Sequence, residues 1–175
     1  MQQNYFIGIT LPKELSKSIA EIQQELYQPQ RVLLPLTPHI TLLEPGLLSM
    51  LPTTEFIPEV KKLADQFLPF DVSLTRTSSF GRNVFYISVA SPELMELQQN
   101  LEELLEKVTY GRTRPNRPFH PHITLAQAKR GLALSIPYID QYKSYVDPLL
   151  PTTFTVDELA YFQWIHPRSY ALYEI

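Results

Sequence analysis

The chain has no cysteine and only five glycines among its 175 residues. Without thiols it can form neither a disulfide nor a zinc site built on cysteine, and this composition fits a reducing compartment. No apolar run approaches the roughly 20 residues that span a membrane. The first residues, MQQNYFIGITLPK, also lack the basic start and long apolar core of a signal peptide. We therefore predict a cytoplasmic protein that does not enter the membrane.

An excess of charge of either sign is missing as well. The formal net charge is -3, with 19% charged and 44% hydrophobic residues, which is ordinary for a globular protein. Such a balance does not hold a protein on long nucleic acid by bulk charge, although a local basic patch can bind a short phosphate ligand. The length suits one domain.

What the chain does contain is an internal repeat. The segment YFIGITLPK begins at Tyr5, and the segment FYISVASPE begins at Phe85. Each is a short apolar run followed by a proline and a helical pattern, in which apolar residues recur three and four positions apart on one helix face. Pro12 and Pro92 fit the first turn of these helices, where the missing N–H would be unpaired anyway. The sequence thus predicts two copies of a strand–helix unit.

Both units continue to the same five letters, PHITL, with His39 in the first copy and His122 in the second, 83 residues apart. Each half then has a weaker helical pattern (Pro58–Phe67 and Ile136–Val146) and a run with strand-like alternation, PFDVSLTRTSSF or TFTVDELAYFQWI. We predict an α+β fold with a bilobal pseudo-twofold duplication, in which two antiparallel sheets line a central groove and helices lie outside. The single domain, residues 1–175, would consist of lobes of about 1–83 and 84–175, whose closing strands could be exchanged.

Each PHITL motif places its histidine and threonine on one face of a strand, because alternate side chains of a strand share a face. His39 and Thr41 share one face, as do His122 and Thr124, while the intervening apolar residues point to the core. Across a pseudo-twofold, two imidazoles and two hydroxyls would surround one small site. One histidine could take a proton from the attacking group while the other protonates the leaving oxygen. The hydroxyls could hold phosphate oxygens, which together favours metal-free phosphodiester cleavage.

The alternative is that the two motifs have no function. A single His-x-Thr on a strand usually has none, and ancestry alone could preserve two copies. Buried histidines are nevertheless unfavourable without a partner, which favours catalysis by His39 and His122. A metal site around His120 and His122 would need further ligands at set spacing, and the sequence shows none, so we predict no metal and no cofactor. His120, and His166 in a turn, are interpreted as surface residues.

The paired words, their spacing and the opening strand are similar to those of the two-histidine (2H) phosphoesterase superfamily, whose signature is two His-x-Thr/Ser motifs each followed by a hydrophobic residue. Its RNA 2',3'-cyclic phosphodiesterase and 2'-5' RNA ligase branch resembles this chain most, over nearly the whole length. The resemblance implies a bilobal fold with His39, Thr41, His122 and Thr124 in a groove. It also implies hydrolysis of a cyclic phosphate or a 2',5' linkage without metal. Where that branch often reads HITLAR this chain reads HITLAQ, so Gln127 replaces an arginine expected to hold phosphate.

Further residues around the second motif are candidates for substrate contacts. The segment KVTYGRTRPNRP is basic and loop-like, so Arg117 could bind phosphate beside His122 or belong to a solvated loop. Phe119 could stack on a base or belong to the core. Arg130 could replace the arginine missing at Gln127 only if the strand bends, since the two positions alternate. Aromatic residues on predicted strands, which belong to the core or line the groove, are Tyr5, Tyr86, Phe162, Trp164 and Tyr170.

The sequence therefore predicts a metal-independent phosphodiesterase acting on a 2',3'-cyclic phosphate, at an RNA 3' end or in a small cyclic nucleotide. Three alternatives use the same residues: 2'-5' RNA ligation, cleavage of 2',5'-linked oligonucleotides, and binding of a nucleotide or RNA end without turnover. We expect a monomer that acts without a metal or a membrane partner.

Overall fold

The computed structural model describes residues 5–33, 36–44, 48, 51–109, 118–166 and 169–175, and residues 164–166, 169 and 170 by their backbone alone. Strands and helices alternate through most of this length. In chain order they are β1 (Tyr5–Thr10), α1 (Lys13–Glu25), β2 (His39–Leu43), α2 (Thr53–Ala64), β3 (Phe70–Phe80), β4 (Val84–Ala90), α3 (Pro92–Thr109), β5 (His122–Gln127), α4 (Ile136–Val146), a 3-10 turn (Asp147–Leu149), β6 (Thr152–Val156), β7 (Ala160–His166) and β8 (Ser169–Glu174).

The eight strands form one sheet in the order β6-β3-β4-β5-β2-β1-β7-β8. Every neighbouring pair is antiparallel, which confirms the predicted α+β class. The structure differs from the predicted pair of sheets in one respect. The inner strands of the two halves, β2 and β5, pair directly through Ile40 and Ile123, and this pairing joins both halves into a single sheet. The bilobal duplication, with its boundary near residue 83, stays a prediction.

The helices cover the core face of the sheet. Helix α1 packs against β5 and α4, whereas α3 packs against β2 and α2. Each helix of a strand–helix unit therefore lies on the PHITL strand of the other unit. The shared core includes Ile19 of α1 and Leu101 of α3, both fully buried. Within the described ranges, no helix combines the length and the apolar character needed to cross a bilayer.

Proline and serine mark the helix starts. Pro12 directly precedes α1, while Pro92 is the first residue of α3, where the Ser91 hydroxyl accepts a hydrogen bond from the backbone N–H of Leu94 at 3.3 Å. Such a serine cap satisfies one of the unpaired donors of the first turn. Helix α2 begins at Thr53 and contains Pro58, so the helix that we predicted from Pro58 onward starts earlier.

The C-terminal run TFTVDELAYFQWI, which we predicted as one strand, forms two. β6 ends at Val156, and β7 begins at Ala160. The residues between them include Asp157 and Glu158, whose side chains are unfavourable in strands. β6 pairs with β3 at one edge of the sheet, and β7 pairs with β1 near the opposite edge. The chain therefore crosses from one edge to the other at this break.

Each PHITL strand contains a β-bulge, at Leu42 in β2 and at Leu125 in β5. At both places one extra residue stands between two consecutive pairs with the neighbouring strand. The extra residue shifts the alternation of the strand. Two successive side chains are therefore buried in each, Leu42 with Leu43 and Leu125 with Ala126.

Candidate active site

The two motif histidines begin neighbouring strands at the centre of the sheet. His39 is the first residue of β2, and His122 is the first residue of β5. The strands are antiparallel with Ile40 opposite Ile123, and these isoleucines are fully buried on the core face. Extending this register by one residue on each side places His39 beside Thr124 and Thr41 beside His122. All four side chains lie on the open face of the sheet.

Both imidazoles are held in the same way. Nδ1 of His39 lies 2.7 Å from the carbonyl oxygen of Thr37, and Nδ1 of His122 lies 2.7 Å from the carbonyl oxygen of His120. A carbonyl oxygen only accepts hydrogen bonds, so each Nδ1 carries a hydrogen and donates it. Nε2 of each ring is therefore the nitrogen that can exchange a proton with a ligand.

Burial lowers the pKa of both histidines. For His39 the desolvation is the largest effect, the hydrogen bond to Thr37 opposes it, and the charge of His122 lowers the pKa further. For His122 desolvation again dominates and nearby His120 adds to it, while the hydrogen bond to the His120 carbonyl and the carboxylate of Glu44 raise the pKa. Both rings are thus biased toward the neutral form, and the negative charge of Glu44 opposes this bias at His122.

The bulge in β5 brings Gln127 to the face that carries His122. On a regular strand Gln127 would share the core face, because alternate residues share a face. β4 has no extra residue here, so Val84 and Tyr86 lie on one face, and they pair with Gln127 and Thr124 respectively. The side chain of Gln127 is exposed on the open face of the sheet. We predicted that Arg130 could replace the missing arginine only if the strand were irregular. The strand is irregular, but the bulge changes the face of Gln127 instead.

Glu44 is a residue of this site that sequence reasoning missed. It follows β2 as Gln127 ends β5, and its carboxylate raises the pKa of His122 on the neighbouring strand. The signal was present in the repeat, because the words PHITLLE and PHITLAQ put Glu44 and Gln127 at corresponding places. An acid in one copy and an amide in the other make the two halves of the site electrostatically unequal.

The remaining predicted residues differ in their placement. Phe119 is partly buried and packs against the core, and Arg130 is exposed in the turn after β5. His120 is exposed, but its backbone carbonyl holds His122. Tyr5 is fully buried. Predicted residues outside the described part, by whole residue or by side chain, are Arg117, Trp164, His166 and Tyr170.

A groove of about 870 Å³ lies elsewhere on the molecule, between the end of α2 and the start of α3. The residues lining it come from 63–71 and 93–100, among them Leu68 and Glu96. None of them belongs to a PHITL motif, so the candidate active site is an open face of the sheet rather than this groove. Among the described residues, no three His, Asp or Glu side chains are grouped in a way that could hold a metal ion.

Solved structures share this fold along the whole chain. TT0787 of Thermus thermophilus has a TM-score of 0.68 at 21% identity, over 98% of this chain and 94% of that one. E. coli LigT, solved with 3'-AMP, has a TM-score of 0.65 at 20% identity, over 99% and 95%. At these identities the likeness shows the fold alone.

A family model and curated relatives identify the family. The model of the 2'-5' RNA ligase superfamily matches residues 11–166. The "Putative phosphoesterase OB1230" of Oceanobacillus iheyensis is 31% identical over 125 residues, which is 69% of each chain. A "Putative phosphoesterase" of Bacillus pumilus is also 31% identical over 125 residues, or 69% of this chain and 68% of its own length. The chain belongs to the 2'-5' RNA ligase superfamily of 2H phosphoesterases.

Proposed function

We propose that this protein is a phosphodiesterase that opens 2',3'-cyclic phosphates, at RNA 3' ends or in small nucleotides, with His39 and His122 as its acid–base pair. The observation that carries the proposal is the common tautomer of the two rings. Each Nδ1 donates to a backbone carbonyl two residues earlier, so each Nε2 is left for the substrate. A general acid and a general base positioned in this way typically contribute factors of about 10² to 10⁴ each to a rate.

The chemistry needs one neutral and one protonated imidazole. Nε2 of the neutral ring takes a proton from water while the water oxygen bonds to phosphorus. The bond between phosphorus and one ribose oxygen breaks, and the protonated Nε2 of the other ring gives its proton to that oxygen. The product is a phosphomonoester beside a free hydroxyl group. Thr41 and Thr124, which lie on the same face, donate hydrogen bonds to the non-bridging oxygens as their charge grows.

Two similarities support a nucleotide substrate. The curated relatives are named phosphoesterases, and the E. coli LigT structure contains 3'-AMP. 3'-AMP is the compound formed when water opens 2',3'-cyclic AMP by breaking the bond between phosphorus and the 2' oxygen. The same reasoning makes an RNA 3' end with a terminal cyclic phosphate a suitable partner. We propose that the protein binds it as a monomer in the cytoplasm.

The test is a substrate panel with histidine variants. It contains 2',3'-cyclic nucleotides, cyclic-phosphate RNA ends, ADP-ribose cyclic phosphate and 2',5'-linked adenylates. We expect turnover of the cyclic phosphates with EDTA present, and a loss of at least about a hundredfold in kcat for His39→Asn and for His122→Asn. Full activity in either variant would refute the assignment. A tight complex in which the cyclic phosphate survives long incubation would instead show a binding module.

Ligation is the second candidate, because the matching family model is that of the 2'-5' RNA ligase superfamily. A 5' hydroxyl can open the cyclic phosphate in place of water: its oxygen bonds to phosphorus and the bond from phosphorus to the 3' oxygen breaks. This forms a 2',5' linkage beside a free 3' hydroxyl and uses the same two proton transfers. Incubating a cyclic-phosphate RNA with an excess of 5'-hydroxyl RNA distinguishes the two. Ligated product at equilibrium would support ligation, and a terminal phosphomonoester as the sole product would support hydrolysis.

A further inference from the structure

Each motif histidine is flanked by two aromatic rings from the two strands beyond it. On the side of β2, the ring centroid of His39 lies 4.8 Å from Phe6 of β1 and 5.0 Å from Phe162 of β7. Those two rings are stacked in parallel at 4.5 Å, and both residues are only 3% exposed. This pair is closed, so it offers a ligand no accessible face.

The other side has the same arrangement with the opposite exposure. The ring of His122 lies 5.1 Å from Tyr86 of β4 and 5.1 Å from Phe80 of β3. Phe80 and Tyr86 are 4.3 Å apart at a tilt of 31°. Phe80 is 38% exposed, so part of its ring remains open to solvent beside His122. The two halves thus differ in having a sealed aromatic pair at His39 and an open one at His122.

The sheet holds Phe80 in place. It is the last residue of β3 and pairs with Val84, which puts it on the face shared with Tyr86 and Gln127. Gly81 follows with a φ of 58°, a left-handed conformation that lets the chain turn at once. The ring is therefore carried by the end of a strand and backed by Tyr86. Stacking surfaces with little freedom to lose lower the entropic cost of ligand binding.

We propose that Phe80, backed by Tyr86, is the stacking surface for the nucleobase of the nucleoside that carries the cyclic phosphate, and that this nucleoside lies on the His122 side. The inference rests on the proposed function and specifies its substrate class: a 2',3'-cyclic phosphate with a base, in preference to a base-free cyclic phosphate. In a nucleotide the ribose separates the base from the phosphate. The ring of Phe80 is likewise set beside the proposed phosphate site, because its centroid lies 5.1 Å from that of His122. Aromatic rings accept every base, since every base has a π face.

The experiment compares two substrates and three variants. The substrates are 2',3'-cyclic AMP and glycerol 1,2-cyclic phosphate, which has the five-membered cyclic ester but no base. The variants are Phe80→Ala, Phe80→Trp and a control, Tyr173→Ala. Tyr173 is similarly exposed, at 42%, and also stacks on a second ring, Tyr161, at 4.6 Å, but it lies on β8 at the edge of the sheet.

We expect Phe80→Ala to raise KM for 2',3'-cyclic AMP roughly fivefold to a hundredfold with kcat nearly unchanged, because stacking binds ground state and transition state alike. KM for glycerol cyclic phosphate should stay constant, Phe80→Trp should restore the wild-type KM, and Tyr173→Ala should alter neither. An equal effect of Phe80→Ala on both substrates, or no effect on either, would overturn the proposal.

If the wild-type protein hydrolyses neither compound, the proposed function fails while the stacking surface can still be tested. The measurement is then the equilibrium binding of 3'-AMP and of ribose 3-phosphate by calorimetry. Weaker binding of 3'-AMP alone in Phe80→Ala supports the surface. Equal weakening of both ligands, or unchanged binding of 3'-AMP, contradicts it.

Discussion

The side-chain amide of Gln23 donates a hydrogen bond from Nε2 to the carbonyl oxygen of Thr124 at 3.0 Å, across 101 residues of sequence. The same nitrogen lies 3.4 Å from the carbonyl oxygen of Leu125, the bulged residue of β5. Gln23 is 3% exposed and lies on α1. A bulge leaves part of the strand's backbone hydrogen bonding unpaired. The Gln23 amide therefore supplies a donor to the backbone carbonyl groups at the bulge of β5. We predict that Gln23 is a positioning residue for Thr124.

Replacing Gln23 with Met keeps the volume and removes the amide. Two backbone carbonyl oxygens, a partly buried one and a buried one, then lose a donor, which should cost about 1–3 kcal/mol of unfolding free energy. We also expect kcat to fall about tenfold or more with KM little changed, since a shift near 1 Å in a catalytic group costs on the order of a hundredfold. Steady-state kinetics on 2',3'-cyclic AMP and urea unfolding measure the two effects.

The matched control for Gln23 is Tyr138→Phe. The Tyr138 hydroxyl donates to the carbonyl oxygen of Leu26 at 2.9 Å, just beyond α1, and its removal also breaks a buried side-chain-to-backbone bond. We expect a similar loss of stability with kcat retained, because β5 is not involved. If the two variants lose activity in proportion to stability, Gln23 has only a structural role.

The pKa values of the two histidines predict how stability changes with pH. Both are lowered in the folded protein, so the unfolded chain binds protons more readily between the ordinary value near 6.5 and the folded values. This contribution to stability is complete above about pH 6.5 and is lost as the pH falls through the folded pKa values. The variant His39→Asn/His122→Asn should lack this loss. Urea midpoints at pH 8, 7, 6 and 5 test it, and parallel curves for both proteins would contradict it.

Glu44 should set the difference between the two imidazoles. Its carboxylate raises the pKa of His122, so Glu44→Gln removes an attraction and should lower the pKa of His122 further, with less effect on His39. NMR titration of the imidazole protons, assigned with single histidine variants, measures both values. Glu55→Gln, an exposed change in the first turn of α2, serves as the control. An unchanged His122 titration in Glu44→Gln would show that this carboxylate does not act on the ring.

Gly8 allows β1 to approach the strand that carries His39. A Cβ atom at this position would come within 2.6 Å of the Ile40 carbonyl oxygen and 3.3 Å of Cε2 of Phe162. A backbone oxygen in a sheet cannot move aside cheaply, so Gly8→Ala should destabilise the fold by about 1–3 kcal/mol. Because Ile40 directly follows His39, activity should fall as well. Thermal unfolding and kcat measured below the transition separate these effects.

The control for Gly8 is Gly131→Ala. Gly131 has a φ of +80°, and among the described residues, its two chain neighbours apart, no heavy atom lies within 4 Å of the Cβ that alanine would add there. The variant should therefore lose about 1–2 kcal/mol through backbone strain alone and keep kcat. A Gly8→Ala protein as stable and as active as the wild type would show that the strands can separate at no cost.

The repeat accounts for what could be predicted from the sequence. PHITL alternation placed His39 with Thr41 on one face and the isoleucine on the other, and the apolar spacing of Ile136–Val146 predicted a helix with the observed bounds. The remainder depends on partners distant in sequence. The direct pairing of β2 with β5, and the bulge at Leu125, arise from how neighbouring strands align, and a single strand read alone carries no sign of either. The nearness of Glu44 to His122 follows from that pairing.

Gln127 follows the bulge and stands where the resemblance to the RNA branch implies an arginine. Its side chain shares the face of His122 and Thr124 because the extra residue in β5 reverses the alternation. We therefore expect a longer cationic side chain at this place to point toward the proposed phosphate site, where guanidinium forms charge-assisted hydrogen bonds. We expect Gln127→Arg to lower KM for 2',3'-cyclic AMP by about tenfold, equivalent to about 1.4 kcal/mol, and the gain should shrink as salt is raised. Gln127→Met separates charge from size, and a KM that falls equally in both variants would mean that packing, not phosphate binding, governs this position.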